Sequence, residues 1–522
     1  MNFNMKNISI FAPLIIFAAV WIISACDNSL PEIVHCCITS GHIIESWEET
    51  TPPTDADYGE ETGICEFCKE VIKRVVLPTH DCDRDGYHLM GAWVRTIQPN
   101  LLSQGEETIT CRRCGEYDKH SVPRINGFFI SSAGDMHTAA LRTDGSLWTW
   151  GNNVFGQLGN GKGGCCCIGG EIYNRVPAQL QPGTAWKSVS AGNSHTVGIM
   201  EDGSLWAWGS NLDGILGNGT SGCCCEGGIY FSNIPVPVQP GIKWTSVSAG
   251  ISHNLAIKED GSLWSWGCNV AGKLGDGKTV FRLFDPNYPE LGGFEAFVNS
   301  DIPVPVKPGT KWASVSAGGS HSMAIDEDGS LWAWGCNFWG QLGDGTGGCC
   351  CNGGIISRGT PVPIQPGIKW TAVSAGHEFT VAIREDGTLW SWGNNDYGRT
   401  GLRDTTGITR MPAQLGHGMT WTYVSAGNEH ALAVQSTGAL WTWGNNANSR
   451  TGLGRTTGVS TTPTMVMRGL SLWAFASAGG THSMAIRTDG SLWAWGNNFS
   501  GRLGDGSTTN RTTPIRIRTA AD

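Results

Sequence analysis

Charge is scarce in this chain. Charged residues make up 15% of its 522 residues, against ~25% in an ordinary globular protein. Tyrosine is scarce too, at 8 residues. Coiled coils and disordered segments are rich in charge and poor in Trp and Gly, so neither describes the bulk of the chain. Basic residues are outnumbered, 35 Lys and Arg to 45 Asp and Glu, for a net charge of −10. Affinity for nucleic acid rests mostly on Lys and Arg, so no nucleic-acid partner is expected. The apolar run at residues 8–23 also falls short of the ~20 residues that a spanning helix needs. Glycine and tryptophan are the abundant types, at 74 and 24. Glycine is thus about twice its usual ~7%. This suits an all-β protein with many tight turns. The length is too great for one compact domain and leaves several domains or a repeat array.

Residues 1–7 are polar with one basic residue, Lys6, and the apolar run ends in Ile23-Ser24-Ala25-Cys26. A short charged region, an apolar core and small residues before a cut site read as a secretory signal over residues 1–25. The ending resembles a bacterial lipobox, although Ile23 stands where Leu is usual. The resemblance implies that Cys26 is lipidated and becomes the mature N-terminus. Plain secretion and an uncleaved anchor remain the alternatives. The expected location is the cell envelope or cell surface, with the membrane reached through the lipid.

After a linker at 26–35, two stretches repeat with a period of 46 residues. Cys36, His42, Trp47, Gly59, Thr62, Cys65 and Cys68 align with Cys82, His88, Trp93, Gly105, Thr108, Cys111 and Cys114. Four ligands per copy is what a closed tetrahedral Zn²⁺ site needs, and four protein ligands leave no open catalytic position. So small a module also needs a staple. Two zinc-ribbon-like modules, at 36–78 and 79–122, each with one structural zinc ion, are therefore expected. Disulfides are the rival staple in an exported protein. The modules resemble the short Cys-x-x-Cys repeats between anchor and main domain of some bacterial surface proteins, which implies a spacer.

Residues 123–522 are a repeat array. The pattern W-x-W-G occurs seven times, at Trp148, Trp206, Trp264, Trp332, Trp390, Trp441 and Trp493. Each repeat runs P-G-x-x-W-x-x-V-S-A-G, then H-[TSN]-x-x-[IL], D-G-[ST]-L-W-x-W-G and N-x-x-G-x-L-G-[ND]-G. Tryptophans two apart share one face of a strand. Asp144-Gly145 between apolar runs is a hairpin signal of the kind in which both turn residues take positive φ. Repeat six carries Thr437-Gly438 instead and allows a different turn. The small S-A-G strand suits the crowded inner position near an axis. About four short strands per unit, seven times over, predict a seven-bladed β-propeller. A solenoid, which leaves its strand edges open, is the rival. The tail Thr513–Ile517 matches the P-V-P-V stretch at Pro235–Val238, read here as opening a repeat. It is expected to return to blade 1 and clasp the ring, with Val122–Ile125 as competitor.

These motifs resemble the repeat of the regulator of chromosome condensation family, over about 395 of 522 residues and in all seven copies. The resemblance implies the propeller fold but no single function. The founding member is a nucleotide-exchange factor for a small nuclear GTPase, other members are scaffolds, and a secreted bacterial relative inhibits β-lactamases. An exported acidic chain fits neither the GTPase nor DNA.

His137, His195, His253, His321, His430 and His482 fill one position per repeat, with Phe379 in the fifth. Six-fold reuse points to structure, bonding backbone between strands or blades. No Ser/His/Asp set and no carboxylate pair departs from the repeat, so no catalysis is expected. Symmetry breaks instead after L-G-[ND]-G. Repeats one, two and four carry triple cysteines there: Cys165-Cys166-Cys167, Cys223-Cys224-Cys225 and Cys349-Cys350-Cys351. Repeat three carries residues 278–300 with Phe281, Phe284, Tyr288, Phe294 and Phe297. Such inserts project from one face, and aromatics are enriched at interface hot spots. The cysteines are read as disulfide-stapled loops, with a soft-metal site as the alternative. Cys268 and Cys336, which replace the Asn of W-G-N, are read as buried small hydrophobes. The expected function is binding of a protein partner by a monomer. Alternatives are inhibition of a secreted or periplasmic enzyme, a propeller lyase or hydrolase, and nucleotide exchange.

Overall fold

The computed structural model describes residues 44–51, 59–65, 71–76, 94–97, 105–110, 117–122, 127–163, 172–222, 230–282, 294–348, 357–403, 407–467 and 472–519. For the strands before residue 123, and for 279–282 and 294–297, it describes the backbone alone.

The chain forms two units, divided near residue 123. The first holds two three-stranded antiparallel sheets. One consists of Ile44–Thr51, Gly59–Cys65 and Val71–Val76, the other of Val94–Ile97, Gly105–Thr110 and Tyr117–Val122. The second and third strands of each start 46 residues apart, at 59 and 105 and at 71 and 117, so the sequence period is also a structural one.

The second unit is a ring of seven four-stranded antiparallel sheets. Blade 1 consists of Phe128–Ala133, His137–Arg142, Leu147–Asn152 and Tyr173–Leu180. We call these positions a to d, from the axis outward. Blades 2 to 7 begin at Trp186, Trp244, Trp312, Trp370, Trp421 and Trp473, and the last ends at Ile517. Every a strand neighbours the next blade's a strand, and that of blade 7 neighbours that of blade 1, so the ring is closed.

The S-A-G motif explains that packing. The Ser hydroxyl of each a strand accepts the Ala N–H of the next blade, from Ala191 N to Ser132 Oγ (2.8 Å) round to Ala133 N to Ser477 Oγ (2.9 Å). The glycine is obligatory because a Cβ on Gly192 would meet Gly250 O at 2.6 Å.

The apolar clusters lie between blades. Trp264 and Trp266 of blade 3 pack with Val197, Leu205 and Leu216 of blade 2. Trp148 and Trp150 of blade 1 pack with Ile486, Leu492 and Ile517 of blade 7. Both tryptophans of a pair join one cluster, as their shared strand face requires. The inner one is wholly buried and donates to a backbone carbonyl of the preceding blade, as in Trp208 Nε1 to Gln157 O (2.9 Å).

Ring closure differs from expectation. Strand d of blade 7 is the C-terminal Arg511–Ile517, paired with strand c of its own blade, Leu492 to Ile517. Blade 1 takes its outer strand from Tyr173–Leu180. The P-x-P stretch therefore ends each repeat instead of opening the next: Val236–Val238 pairs with Leu205–Ala207. Val122 lies in the N-terminal unit's second sheet. Proline fits strand d because an edge strand leaves one row of N–H groups unused.

The hairpin turns differ too. Gly145 has φ +82° while Asp144 is not left-handed, and Gly145 N bonds Arg142 O (2.9 Å). This is a three-residue turn with left-handed Gly, not a two-residue one. Asp144 instead accepts Ser146 N and Oγ through Oδ1, at 2.9 and 2.6 Å. Burial pushes the carboxyl up, but those bonds and the nearby Arg142 charge together outweigh it and hold it below its ordinary range. Gly438 has the same φ, +81°, so Thr437 leaves the turn unchanged.

Candidate functional site: the axial mouth

Antiparallel order puts the a–b and c–d connections on one face of the propeller and the b–c and d–a turns on the other. The four inserts all lie in c–d connections, between Leu147–Asn152 and Tyr173–Leu180 in blade 1 and at the matching places in blades 2, 3 and 4. They share their face with the a–b turns, which surround the axis.

A cavity of about 100 Å³ opens there, lined by three residues from each blade. Two of the three are always Ala and Gly, and the third varies: Asp135, Asn193, Ile251, Gly319, His377, Asn428 and Gly480. This is where the ring loses its symmetry. Asn428 Nδ2 donates to Asp135 Oδ1 at 3.0 Å, across blade 7. Gly480 makes room, since a Cβ there would fall 1.5 Å from that oxygen. Gly319 likewise yields to His377, whose Cδ2 lies 2.7 Å from where a Cβ would be. Burial raises the Asp135 carboxyl above its ordinary range, against the pull of the Arg502 guanidinium and the Asn428 bond.

A second tier of charge stands behind this lining. Arg399 Nη1 donates to Glu378 Oε2 (3.2 Å) and Arg450 Nη1 to Glu429 Oε2 (3.0 Å). Asn394 and Asn445 donate to the same carboxylates. In blade 7 Arg502 donates to Asp135 O (2.9 Å) and Thr481 Oγ1 (2.8 Å). The corresponding residues of blades 1, 2 and 4 are Gln157, Ile215 and Gln341 and blade 3 has Lys273, bonded to Ser252, so the continuous arc of arginines and carboxylates belongs to blades 5, 6, 7 and 1. Around it the c–d loops expose apolar side chains, with Val270 at 67% and Phe499 at 71%.

Glu378, Glu429 and Asp135 are departures from the repeat that inspection of the motifs overlooks. Their signal lies in the two variable positions of S-A-G-x-x-H, which look like noise until seven of them converge on one axis. The two glutamates are each tied to an arginine, which suits recognition of polar groups better than proton transfer.

The repeated histidines form a belt beneath the mouth. His137 Nε2 meets Thr196 Oγ1 of the next blade at 2.7 Å, and His321 Nε2 meets Thr380 Oγ1 at 2.9 Å. Each hydroxyl also donates to a carbonyl, as in Thr196 to Gln157 O (2.9 Å). It must therefore accept from the ring, which fixes the Nε2–H tautomer. The belt links blades as expected, but through side chains instead of backbone. Phe379 faces Ala431, so the hydroxyl disappears where the histidine does. Burial holds the neutral rings far down, His137 and His321 at about 3 and His195 at about 4.

Cys26, Cys36, His42, Cys68, Cys82, His88, Cys111, Cys114, the three cysteine triplets, Phe284 and Tyr288 lie outside the described residues. Cys65, Phe281, Phe294 and Phe297 lie on described strand backbone only; Thr279–Arg282 and Phe294–Phe297 pair as a hairpin within the blade 3 insert. Cys268 is buried and Cys336 half-buried, both as free thiols. The burial read for Cys268 holds, whereas Cys336 is less covered than that reading expects.

A closed ring of seven blades, laced by Ser, His and Trp bonds and open at an irregular polar mouth, defines a propeller of the chromosome-condensation type. Comparison with known proteins agrees. The RCC1-like domain model matches residues 101–476, and regulator of chromosome condensation (RCC1) repeats match 475–502 and 489–522. The chain belongs to the RCC1-like domain family. It is 30% identical to the Ultraviolet-B receptor UVR8 of Arabidopsis thaliana over 393 residues, 74% of this chain and 80% of that protein. It is 27% identical to the Regulator of chromosome condensation of Mus musculus over 399 residues, 73% of this chain and 87% of that protein. Among solved structures, yeast RCC1 (Prp20), crystallised with Kap60, shares the fold with a TM-score of 0.57 at 20% identity, covering 74% of this chain and 86% of that one.

Proposed function

We propose that this chain is an exported, lipid-anchored binding protein that captures a protein partner on the face formed by its a–b and c–d connections. The observation that carries the reading is the coincidence of two departures from symmetry on one face. The inserts of blades 1 to 4 and the charged mouth of blades 5 to 1 together complete a circuit. The opposite face repeats the same Asp-Gly hairpin in six blades and Thr-Gly in the other. Aromatic and arginine side chains are what interface centres favour. A relative in complex with Kap60 supports a protein as partner. The absence of a free general base in the glutamate pairs favours binding over catalysis. Residues 1–25 and Cys26 would supply export and the lipid anchor, and the two Cys/His modules a zinc-stapled spacer.

The test is affinity capture from the source organism's envelope and surroundings. One bait is the full chain without its signal; the other has the four inserts cut to the length of the blade 6 connection. A partner held by the first and lost by the second supports the reading. The same partner on both moves the site away from the inserts.

A further inference from the structure

Blade 3 breaks the ring's symmetry in a second way, which stands apart from partner capture. In blades 3 to 7 the residue before the belt position meets one residue of the c–d loop. In blades 5 and 6 these are Glu378 with Arg399 and Glu429 with Arg450, each a paired charge. In blade 4 Gln341 Nε2 donates to Ser320 Oγ at 3.3 Å. In blade 7 Arg502 Nη1 donates to Thr481 Oγ1 at 2.8 Å. Blade 3 holds Ser252 and Lys273, with Lys273 Nζ 2.5 Å from Ser252 Oγ.

Blades 3, 4 and 7 thus each set a hydroxyl against a side-chain nitrogen, but the nitrogens differ in chemistry. The amide of Gln341 only donates, and a guanidinium does not give up its proton in a protein. An amine does, and buried lysines act as general bases for that reason. Of these three pairs, the one in blade 3 gives its hydroxyl a base. Lys273 is 4% exposed, whereas Ser252 is half-buried and directly follows Gly250 and Ile251 of the cavity lining. The lysine is held from behind. Its Cβ backs onto Gly335 of blade 4. Its carbonyl accepts both Trp334 Nε1 (2.9 Å) and Ser322 Oγ (2.8 Å), the bonds of the blade 3–4 seam. A nucleophile within hydrogen-bond reach of a base, with the base fixed by its surroundings, is the arrangement that nucleophilic catalysis uses.

We propose that Ser252 and Lys273 form a nucleophile–base pair that takes the acyl group of small activated esters, which makes Ser252 a covalent acylation site beside the axial mouth. Ser252 Oγ attacks the ester carbonyl carbon while the free Lys273 amine takes the hydroxyl proton. A C–O bond to Ser252 forms. The C–O bond to the leaving alcohol then breaks, and the Lys273 ammonium returns the proton to the departing oxygen. The products are the Ser252 acyl ester and the free alcohol, so atoms and electrons balance without a further reactant. The half-burial of Ser252 suits a small acyl group. Burial also holds the Lys273 amine below its ordinary range, which increases the share of free base. Cys268 of its own blade, Asp213 of blade 2 and Cys336 of blade 4 pull the other way by charge without reversing this. The belt's His253 stays neutral and adds no charge.

The experiment treats the full-length protein with p-nitrophenyl acetate, follows release of p-nitrophenol, and maps tryptic peptides by mass and fragmentation. The expected product is the 244–258 peptide with one acetyl group on Ser252. The 469–487 peptide, whose Thr481 faces Arg502, should stay unlabelled in the same digest. S252A should remove the label, and S320A should leave it unchanged. K273R copies the blade 7 pair, keeps a donor to the hydroxyl, and should slow acetylation of Ser252 at least about tenfold. The rate at Ser252 should rise with pH to a midpoint below the ordinary lysine range, and K273R should lose that rise. Circular dichroism checks that each variant folds. Acetyl groups on Lys273 or on surface lysines with Ser252 unmodified, or equal rates for K273R and the unaltered protein, would overturn the proposal.

Discussion

At the level of single residues, the belt histidines show how one motif position can serve a whole ring. Each neutral ring needs a hydroxyl or amide oxygen from the next blade, and the natural exception, Phe379 facing Ala431, states the rule in reverse. His321→Phe alone should strand the Thr380 hydroxyl and cost about 1–3 kcal/mol. Adding Thr380→Ala, which copies the blade 5–6 seam, should recover a good part. Chemical-denaturation midpoints of the two singles and the double decide this, and equal midpoints for the double and H321F would contradict it. The belt also sets the response to acid. In the unfolded chain these histidines take up protons near 6.5, whereas in the fold His137 and His321 wait until about 3 and His195 until about 4. The unfolded state therefore binds more protons between those values. Stability is full above about 6.5 and falls as pH drops, by about 1.4 kcal/mol per unit for each such histidine. Asp135, raised by burial, works in the opposite direction but is one group. A melting-temperature series from pH 7.5 to 4.5 should slope downward, and more gently in the H321F/T380A variant.

At the level of elements, the sequence shows strand faces clearly and strand ownership poorly. Tryptophans two apart could only share a face, and the Ser-Ala-Gly stretch could only sit where a Cβ has no room. Assigning the P-x-P strand to the following repeat went wrong because periodicity fixes the length of a repeat but not its phase. Pairing of Leu205 with Val238 settles the phase. Asp-Gly was misread for a related reason. The pair is compatible with two hairpin turns, and the deciding bond, Asp144 to Ser146, involves a serine outside the dipeptide. The mouth was hidden because its residues lie in loops and are defined by convergence alone. Gly480 exposes that convergence. Gly480→Ala should push the Asp135 carboxylate off Asn428 and destabilise the ring, and the cost should shrink in an Asp135→Gly background. A double-mutant cycle reads the coupling directly, and additive effects would mean that the two residues do not meet.

At the level of the whole molecule, stability resides in seven seams, each between neighbouring blades, as repeat proteins require. The ring closes without strand exchange. Blade 7 meets blade 1 through the bonds used at every other seam, with Arg142–Thr519 in addition, and Asp135–Asn428 ties blade 1 to blade 6 across blade 7. Removal of a wholly buried inner tryptophan, as in Trp495→Ala, should cost about 3–5 kcal/mol and loosen the blade 6–7 seam first, visible as hydrogen exchange confined to those blades. The Cys/His stalk stands on sequence spacing: zinc analysis of the full chain under reducing conditions should give two ions, and none bound together with mapped disulfides would replace zinc by disulfides. The central claim concerns the two faces, and one comparison of affinities tests it most directly. The captured partner is titrated against the full protein, against a D135N/H377A mouth variant, and against E201K/E259K/E327K/E385K, which reverses exposed charge on the hairpin face. The account predicts at least tenfold weaker binding by the mouth variant, about 1.4 kcal/mol, and unchanged binding by the hairpin-face variant. The opposite pattern would place the partner on the repetitive face and contradict the reading.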